Sequence, residues 1–410
     1  MRALFVSLAG LFAVSPAFAL DFDAALGLSQ QTPGLVGDQR ALQARQQMDG
    51  QLPNIAGNPE IGVAPGLGFG AGSPGPAVQI FANQSWNLMD LSGQRKAAAA
   101  AERAVLDVQL RASQLLQKLD VAQAWLQLST AQALYQAAQQ QAQQADQFLT
   151  SIQRAASKGV ALSADAAEAE VFAGQAQLRI VAMEGEVHDR AMDLARTLGQ
   201  GPEPLPVATG RVPEPVLPDA AGWRQALSSA SSLPAAMAKG LVAKAEKARA
   251  AEALALHGSS LAVGGAWSRD GQGASQFLVT LSWRWAAFDH GQRAAALGAE
   301  AVERGMGEAI AASVQACLDI AAAQHEVEHT REQAEVLQTR VLVPAQKLVD
   351  LRQRQYDRGA ATVFDVLRAK QALREAERTA IDAQSMRIRA ALRAWLLLAA
   401  LQGATPGGTQ

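Results

Sequence analysis

Arg154-Ala155-Ala156-Ser157-Lys158-Gly159, with Asp165 shortly after, returns as Arg354-Gln355-Tyr356-Asp357-Arg358-Gly359, with Asp365 in the matching place. The offset is 200 residues at Arg154, Gly159 and Asp165 alike. Each copy ends one long stretch rich in alanine, glutamine and leucine and opens another, so each reads as the turn of an antiparallel helix pair. Upstream, Met89-Asp90-Leu91-Ser92-Gly93-Gln94-Arg95 recurs one residue shorter as Phe288-Asp289-His290-Gly291-Gln292-Arg293. Further upstream, Ala25-Leu26 precedes Pro33 as Ala226-Leu227 precedes Pro234. Three landmarks in one order divide the chain into two repeats, 20–200 and 222–403, joined by a proline-rich linker at 201–221.

The repeats predict one element order: a helix, two strands, a very long helix, a glycine turn and a returning helix. The long helices are expected from about Ser92 to Lys158 and from about Gly291 to Arg358. At 1.5 Å rise per residue each reaches about 100 Å. Val105, Val108, Ala112, Leu115, Leu119, Ala122 and Leu126 step by alternating threes and fours, the spacing of a coiled-coil seam. The first helix of a repeat (about 21–50) and the returning one (about 163–199) together nearly match the long one, which suits a rod. Pro344 is expected to kink the second long helix.

Between the helices the period changes to two. Ile61, Val63, Pro65, Leu67 and Phe69 alternate with Gly62, Ala64, Gly66, Gly68 and Gly70, and Val78, Ile80, Ala82 and Trp86 with Gln79, Phe81, Asn83 and Ser85. The second repeat offers Leu261, Val263 and Trp267, then Phe277, Val279, Leu281, Trp283 and Trp285. Strand pairs at 58–87 and 258–287, with one apolar and one small or polar face, match membrane-barrel strands. Trp86, Trp283 and Trp285, toward the helix-side ends, are candidates for an aromatic girdle. Two hairpins packed against soluble helices would show the same pattern. Four strands cannot close a barrel, and lipid tolerates no open edge, so a membrane reading demands several copies.

Met1-Arg2, the apolar run Ala3–Val14 and Ala17-Phe18-Ala19 have the layout of a secretory signal peptide over 1–19. No later run reaches about 18 consecutive apolar residues. The single cysteine, Cys317, permits no internal disulfide. A formal charge of −2 gives no basic footprint for nucleic acid. The tail, 404–410, reads as disordered.

Val343-Pro344-Ala345-Gln346, Leu348, Leu351, Tyr356, Gly359 and Asp365-Val366-Leu367-Arg368-Ala369-Lys370-Gln371-Ala372-Leu373 resemble the second-repeat signature of TolC-like outer-membrane efflux proteins, and Phe288–Arg293 resembles that family's post-strand motif. The resemblance spans essentially the whole mature chain. It implies a mainly α fold with membrane β: duplicated coiled-coil helix hairpins, and four strands per chain in a shared trimeric, twelve-stranded barrel above a periplasmic α-helical tunnel. It also implies a passive conduit of efflux or type I secretion in the outer membrane of a Gram-negative bacterium. The implied partners are two further copies, a periplasmic adaptor (membrane fusion protein), an inner-membrane transporter and outer-membrane lipid. Under it Gly159 and Gly359 are periplasmic tip turns, Asp365 with Arg368 forms a gate, and Asp165 with Tyr356 forms an inter-helix link. Arg368 stands where the family has a second acid, and Ala361 where the link has its basic partner; Arg354 or Arg358 could substitute. Asp165 and Asp365 read equally well as helix caps.

His325-Glu326-Val327-Glu328-His329 has the zinc-peptidase spacing. It lies inside a long helix with neither third ligand nor cleft in view, and the equivalent Leu126–Thr130 carries no ligand, so an enzyme, a resident metal and a cofactor are not expected. The competing function is a periplasmic coiled-coil adaptor or scaffold without a barrel.

Overall fold

The computed structural model describes residues 18–49, 59–68, 75–87, 90–159, 161–212, 214–269, 274–284 and 291–402. Residues 1–17 of the expected signal peptide (1–19), Trp285, Phe288–His290 and the tail after 402 lie outside them, and the last two residues of that expected peptide, Phe18 and Ala19, fall in the first strand. The expected order holds in both repeats. In the first, strand β1 (Phe18–Leu20) and helices α1 (Phe22–Ser29) and α2 (Pro33–Asp49) precede strands β2 (Glu60–Gly68) and β3 (Gly75–Asn87), then helices α3 (Leu91–Ser157) and α4 (Ser163–Thr197). Strand β4 (Pro206–Ala208) follows. The second repeat runs α5 (Ala220–Ser228), α6 (Pro234–Leu256), β5 (Ser260–Arg269), β6 (Ser275–Arg284), α7 (Gln292–Val336), α8 (Val343–Asp357) and α9 (Val363–Leu401).

The single helix expected over 21–50 is two. Pro33 begins α2 and Pro234 begins α6, because proline fits the first turn, where its missing N–H costs nothing. Proline also explains the second long helix. Pro344 lacks the N–H for an i→i−4 bond, and its ring crowds the carbonyl four residues back. The chain answers with a π segment, Leu337–Leu342, immediately before it, where the Val343 N–H reaches the Gln338 carbonyl. At the expected kink the helix carries a widened turn and goes on through it. The Gln292–Asp357 helix is apolar enough by length and composition to cross a membrane. Ile310, Val314, Leu318 and Ile320 with their flanking alanines supply that apolarity, and Glu308 and Asp319 interrupt it.

Two compact units cut across the repeats. One comprises 1–36, 113–229 and 318–410; its core packs Val121, Trp125 and Leu128 of α3 against Leu20, Phe22, Ala191, Leu194, Leu392 and Leu396. The seam read from the sequence is partly buried, with Val105, Val108, Ala122 and Leu126 inside. Val121, Trp125 and Leu128 form a second, more deeply buried row that the sequence reading missed. The Trp125 indole Nε1 donates to the Leu20 carbonyl at 2.9 Å, and its ring meets Phe22 edge-on at 5.5 Å. The linker is more than a connection. Its β4 pairs in parallel with β1, Leu205, Ala208 and Val212 pack on the core, and Glu214 meets Arg387 at 3.0 Å.

The other unit, 37–112 and 230–317, holds a four-stranded antiparallel sheet in the order β2-β3-β5-β6. The central pairing, β3 with β5, joins the two repeats. In the same unit α6 and α7 approach closely at Gly298, where a Cβ would stand 2.4 Å from the Ala250 Cβ. Glu102 is held there by both Arg45 and Arg249.

Candidate functional site

The sheet register sorts the alternation into two faces. Ile61 and Val63 of β2 share a face with Val78, Ile80 and Trp86 of β3, with Leu261, Val263 and Trp267 of β5, and with Phe277, Val279, Leu281 and Trp283 of β6, and Gln84 and Arg269 are among its polar members. The other face carries Gly62, Ala64, Gln79, Asn83, Ser85, Ala262, Gly264, Thr280 and Ser282, with Phe81 and Leu278 its large apolar members. The apolar face is uncovered: Ile61 and Phe277 are each 74% exposed and Leu281 72%. Hairpins packed on a soluble core would bury this face, so that alternative fails. Among the described residues, β2 and β6 each pair on one side only.

Aromatic residues cross this face in two rows. Trp86, Leu261 and Trp283 are consecutive partners across β3, β5 and β6 at the helix-side end. Ile80, Trp267 and Phe277 make the second row nearer the strand-connecting loops. Leu261 and Trp267 are six residues apart on one strand, about 20 Å at the usual rise. The sequence reading named Trp86 and Trp283 as girdle candidates and placed Trp267 and Phe277 only in the strand alternation. Their cross-strand partnership depends on register, which the sequence does not display.

In the other unit each helix pair turns on a glycine in the left-handed region, Gly159 at φ 72° and Gly359 at φ 74°. The Gly359 N–H reaches the Tyr356 carbonyl and the Ala360 N–H the Gln355 carbonyl, both at 2.8 Å. This double closure satisfies the last carbonyls of α8. A Cβ on Gly359 would meet nothing within 4 Å, so Gly359→Ala costs only backbone strain, about 1–2 kcal/mol. That should appear as faster amide exchange at Gly359 and Ala360 with the rest of the chain unchanged.

Both aspartates cap helices, but unequally. Asp365 Oδ2 accepts from the Thr362 N–H at 3.0 Å and the Thr362 hydroxyl at 2.8 Å, while Thr362 Oγ1 accepts from the Asp365 N–H at 3.2 Å. In the first repeat the cap is Leu162, so Asp165 receives only the Leu162 N–H, at 3.1 Å. The Thr362 backbone bond, then its hydroxyl, then the Arg352 and Arg368 guanidiniums hold the Asp365 carboxyl below the ordinary carboxylate range. The group's native value is thus lower than its unfolded one. Its capping contribution is complete above about pH 3.9 and fades as pH falls through the lowered native value. Protection of the first-turn amides of α9, relative to their intrinsic exchange rates, should therefore be unchanged on acidification from about pH 7 to pH 5, and fall at neutral pH in Asp365→Ala.

Arg368 is exposed one turn beyond Asp365. Tyr356 packs half-buried on a cluster that includes Phe148, Ile152, Phe172, Val363 and Val366. Burial, then the charges of Asp165 and Asp357, push its hydroxyl pKa up. The structure thus brings Tyr356 and Asp165 near each other without a hydrogen bond between them. Of the two candidate substitutes for the link's cation, Arg354 turns back to the Asp350 carbonyl at 3.2 Å and Arg358 caps α8. Above the cluster, Lys370 lies 4.8 Å from the Phe148 ring centroid and Arg374 3.9 Å from that of Phe172, cation–π contacts that the sequence gave no sign of. Burial lowers the pKa of both cations. A groove of about 1250 Å³ in this unit is lined by glutamines of α3, by Gln338 and Leu342 of the π segment, and by α9.

No protein-family model and no curated protein matches this sequence. Solved structures do match its fold. The chain is similar to CusC, a protein described as undergoing folding and transmembrane channel formation, with TM-score 0.79 at 15% identity over 93% of each chain. It is similar to the outer membrane protein VceC of Vibrio cholerae, with TM-score 0.70 at 17% identity, over 93% of this chain and 96% of that one. The MtrE outer membrane channel of Neisseria gonorrhoeae gives TM-score 0.71 at 14% identity, over 92% and 88%. The chain has the fold of the TolC-like outer-membrane channels.

Proposed function

We propose that this chain is one protomer of a homotrimeric outer-membrane exit duct of a Gram-negative bacterium, a passive, non-enzymatic conduit for efflux or secretion. The observation that carries this reading is the four-stranded sheet with one bare apolar face and two open edges. In water that face would expose aliphatic and aromatic surface over four adjacent strands. In lipid the face is stable and the edges are not, because hydrocarbon offers their N–H and C=O groups no partner. Pairing β6 of one copy with β2 of the next removes both edges, and three copies give twelve strands. The two aromatic rows would sit at the two headgroup levels flanking the apolar band.

A helix supports assembly independently. On α4, Val171, Gly174, Leu178, Val181 and Gly185 keep three- and four-residue steps, and Val171, Leu178 and Val181 are 62, 71 and 66% exposed. An unfilled heptad seam of this kind is suited to another helix, here one of a neighbouring copy in the periplasmic tunnel. The adaptor and the inner-membrane pump follow from the resemblance to TolC-like proteins. Gly159 and Gly359 are then the periplasmic tips. Asp365, kept ionised by its cap and repeated around a threefold axis, would favour cations at the aperture, with Arg368 reducing that charge and Asp165 and Tyr356 linking neighbouring helices. A scaffold without a barrel would need this apolar sheet face covered by some other partner, whereas lipid covers it in the duct reading.

The test is fractionation and conductance. The duct reading expects a heat-modifiable trimer that leaves outer membranes only with detergent and forms channels in planar bilayers. Soluble monomer in osmotic-shock fluid would sink it. Asp365→Asn should reduce cation selectivity or divalent block; unchanged behaviour in both would remove Asp365 from the gate and leave it a cap.

A further inference from the structure

We propose that His325 and His329 form a two-imidazole chelate for a borderline divalent transition cation, Cu²⁺ foremost, on the exposed face of α7. The residues are one helical turn apart, so their side chains leave the same face. Their ring centroids are 6.0 Å apart with 39° between planes. An ion about 2.0–2.1 Å from one nitrogen of each ring needs centroids within roughly 6 Å, so small rotations of two exposed side chains complete the bite. The face also carries the exposed aliphatic residues Val314, Leu318 and Val336 beside the exposed acids Glu328 and Glu332, so the imidazoles stand on a mixed apolar and acidic stripe. At the matching level of the first repeat, Leu126 and Leu128 are buried in packing, and no such pair is available.

The neighbouring acids divide into two kinds. Glu326 is tied to Arg393 at 3.2 Å, away from the imidazoles, which leaves the peptidase pattern without its free glutamate. Glu328 shares the histidine face and accepts only an exposed bond from Gln324 at 3.0 Å, which opens at little cost. Glu332 continues the face one turn on. Among the described residues no group of three or more His, Cys, Asp or Glu side chains is gathered for a metal. The site is therefore a bidentate, exchangeable one, completed by water or by Glu328. Imidazole donors and the order of divalent affinities favour Cu²⁺ over Ni²⁺ and Zn²⁺. Both ligands belong to one helix, so the site exists in the protomer whatever assembles around it.

The experiment uses tag-free full-length protein in detergent at about pH 7.5, where metal competes with few protons. Cu²⁺ and Zn²⁺ are titrated in competition with a chromogenic chelator. One site per chain is expected, weakened roughly 10²-fold in His325→Gln and again in His329→Gln, as for loss of one arm of a linked pair. His188→Gln should leave it unchanged. The Cu²⁺ spectrum by electron paramagnetic resonance should carry coupling from two nitrogens. Equal affinity in wild type and in the doubly substituted His325→Gln, His329→Gln chain would overturn the chelate, as would a spectrum with one nitrogen or none. Circular dichroism of the variants should be unaltered, because both positions are exposed.

Discussion

Val279→Arg is expected to keep the chain from assembling in the membrane, while Thr280→Arg, the next residue on the same strand, is not. Val279 lies mid-strand on the apolar face, between Phe277 and Leu281 and opposite Gly265, and is 68% exposed. Arginine at the middle of a lipid-facing strand costs about 2–4 kcal/mol, and a trimer would carry that cost three times. Thr280 lies on the opposite face opposite Gly264, where a barrel holds water and a guanidinium stays hydrated. The pair controls for strand propensity and size, since the same residue is introduced at adjacent positions. The readout is the fraction of protein in heat-modifiable trimer recovered from outer membranes. Equal recovery of both variants would mean that neither face meets lipid.

The second large effect concerns stability. Trp125→Ala should destabilise its unit by about 3–5 kcal/mol, the range for removing a large aromatic from a core that relaxes only partly. Trp125 is fully buried and stands where α1, α3 and β1 converge. Trp125→Phe keeps most of the packing and loses the bond to the Leu20 carbonyl, costing about 0.5–1.5 kcal/mol. That carbonyl also accepts the Thr209 N–H at 3.0 Å, so it is not orphaned. Urea midpoints of the detergent-solubilised variants, read by far-ultraviolet circular dichroism, should rank wild type, Phe, Ala. If Ala and Phe coincide, the hydrogen bond matters more than the packing.

The boundaries of the long helices were legible within a residue or two at α3, at α4 and at the two ends of the α7–α8 stretch, because each is set by local chemistry. Gly159 and Gly359 sit where only glycine adopts the left-handed turn without strain, and the aspartates after them begin the next helix. The π segment was not legible. Pro344 announced a disturbance, but whether a helix kinks, stops or widens depends on what its neighbours can accommodate. The linker shows the same limit from the other side. Its prolines signalled a connection, while the pairing of Pro206–Ala208 with Phe18–Leu20 joins segments almost the length of a repeat apart.

The sequence by itself determined the duplication, the helical turns and the existence of strands with one apolar face. These depend on spacing along the chain, and period, glycine and proline are local quantities. The tertiary structure alone decided that β3 pairs with β5 across the repeats, that Trp267 and Phe277 form a second aromatic row, and that the apolar face is bare. It also decided that Asp365 has a full hydroxyl cap while Asp165 has only the backbone half. Register, exposure and the meeting of distant side chains are properties of the closed chain, and a residue's partner across a sheet is not written in its neighbours.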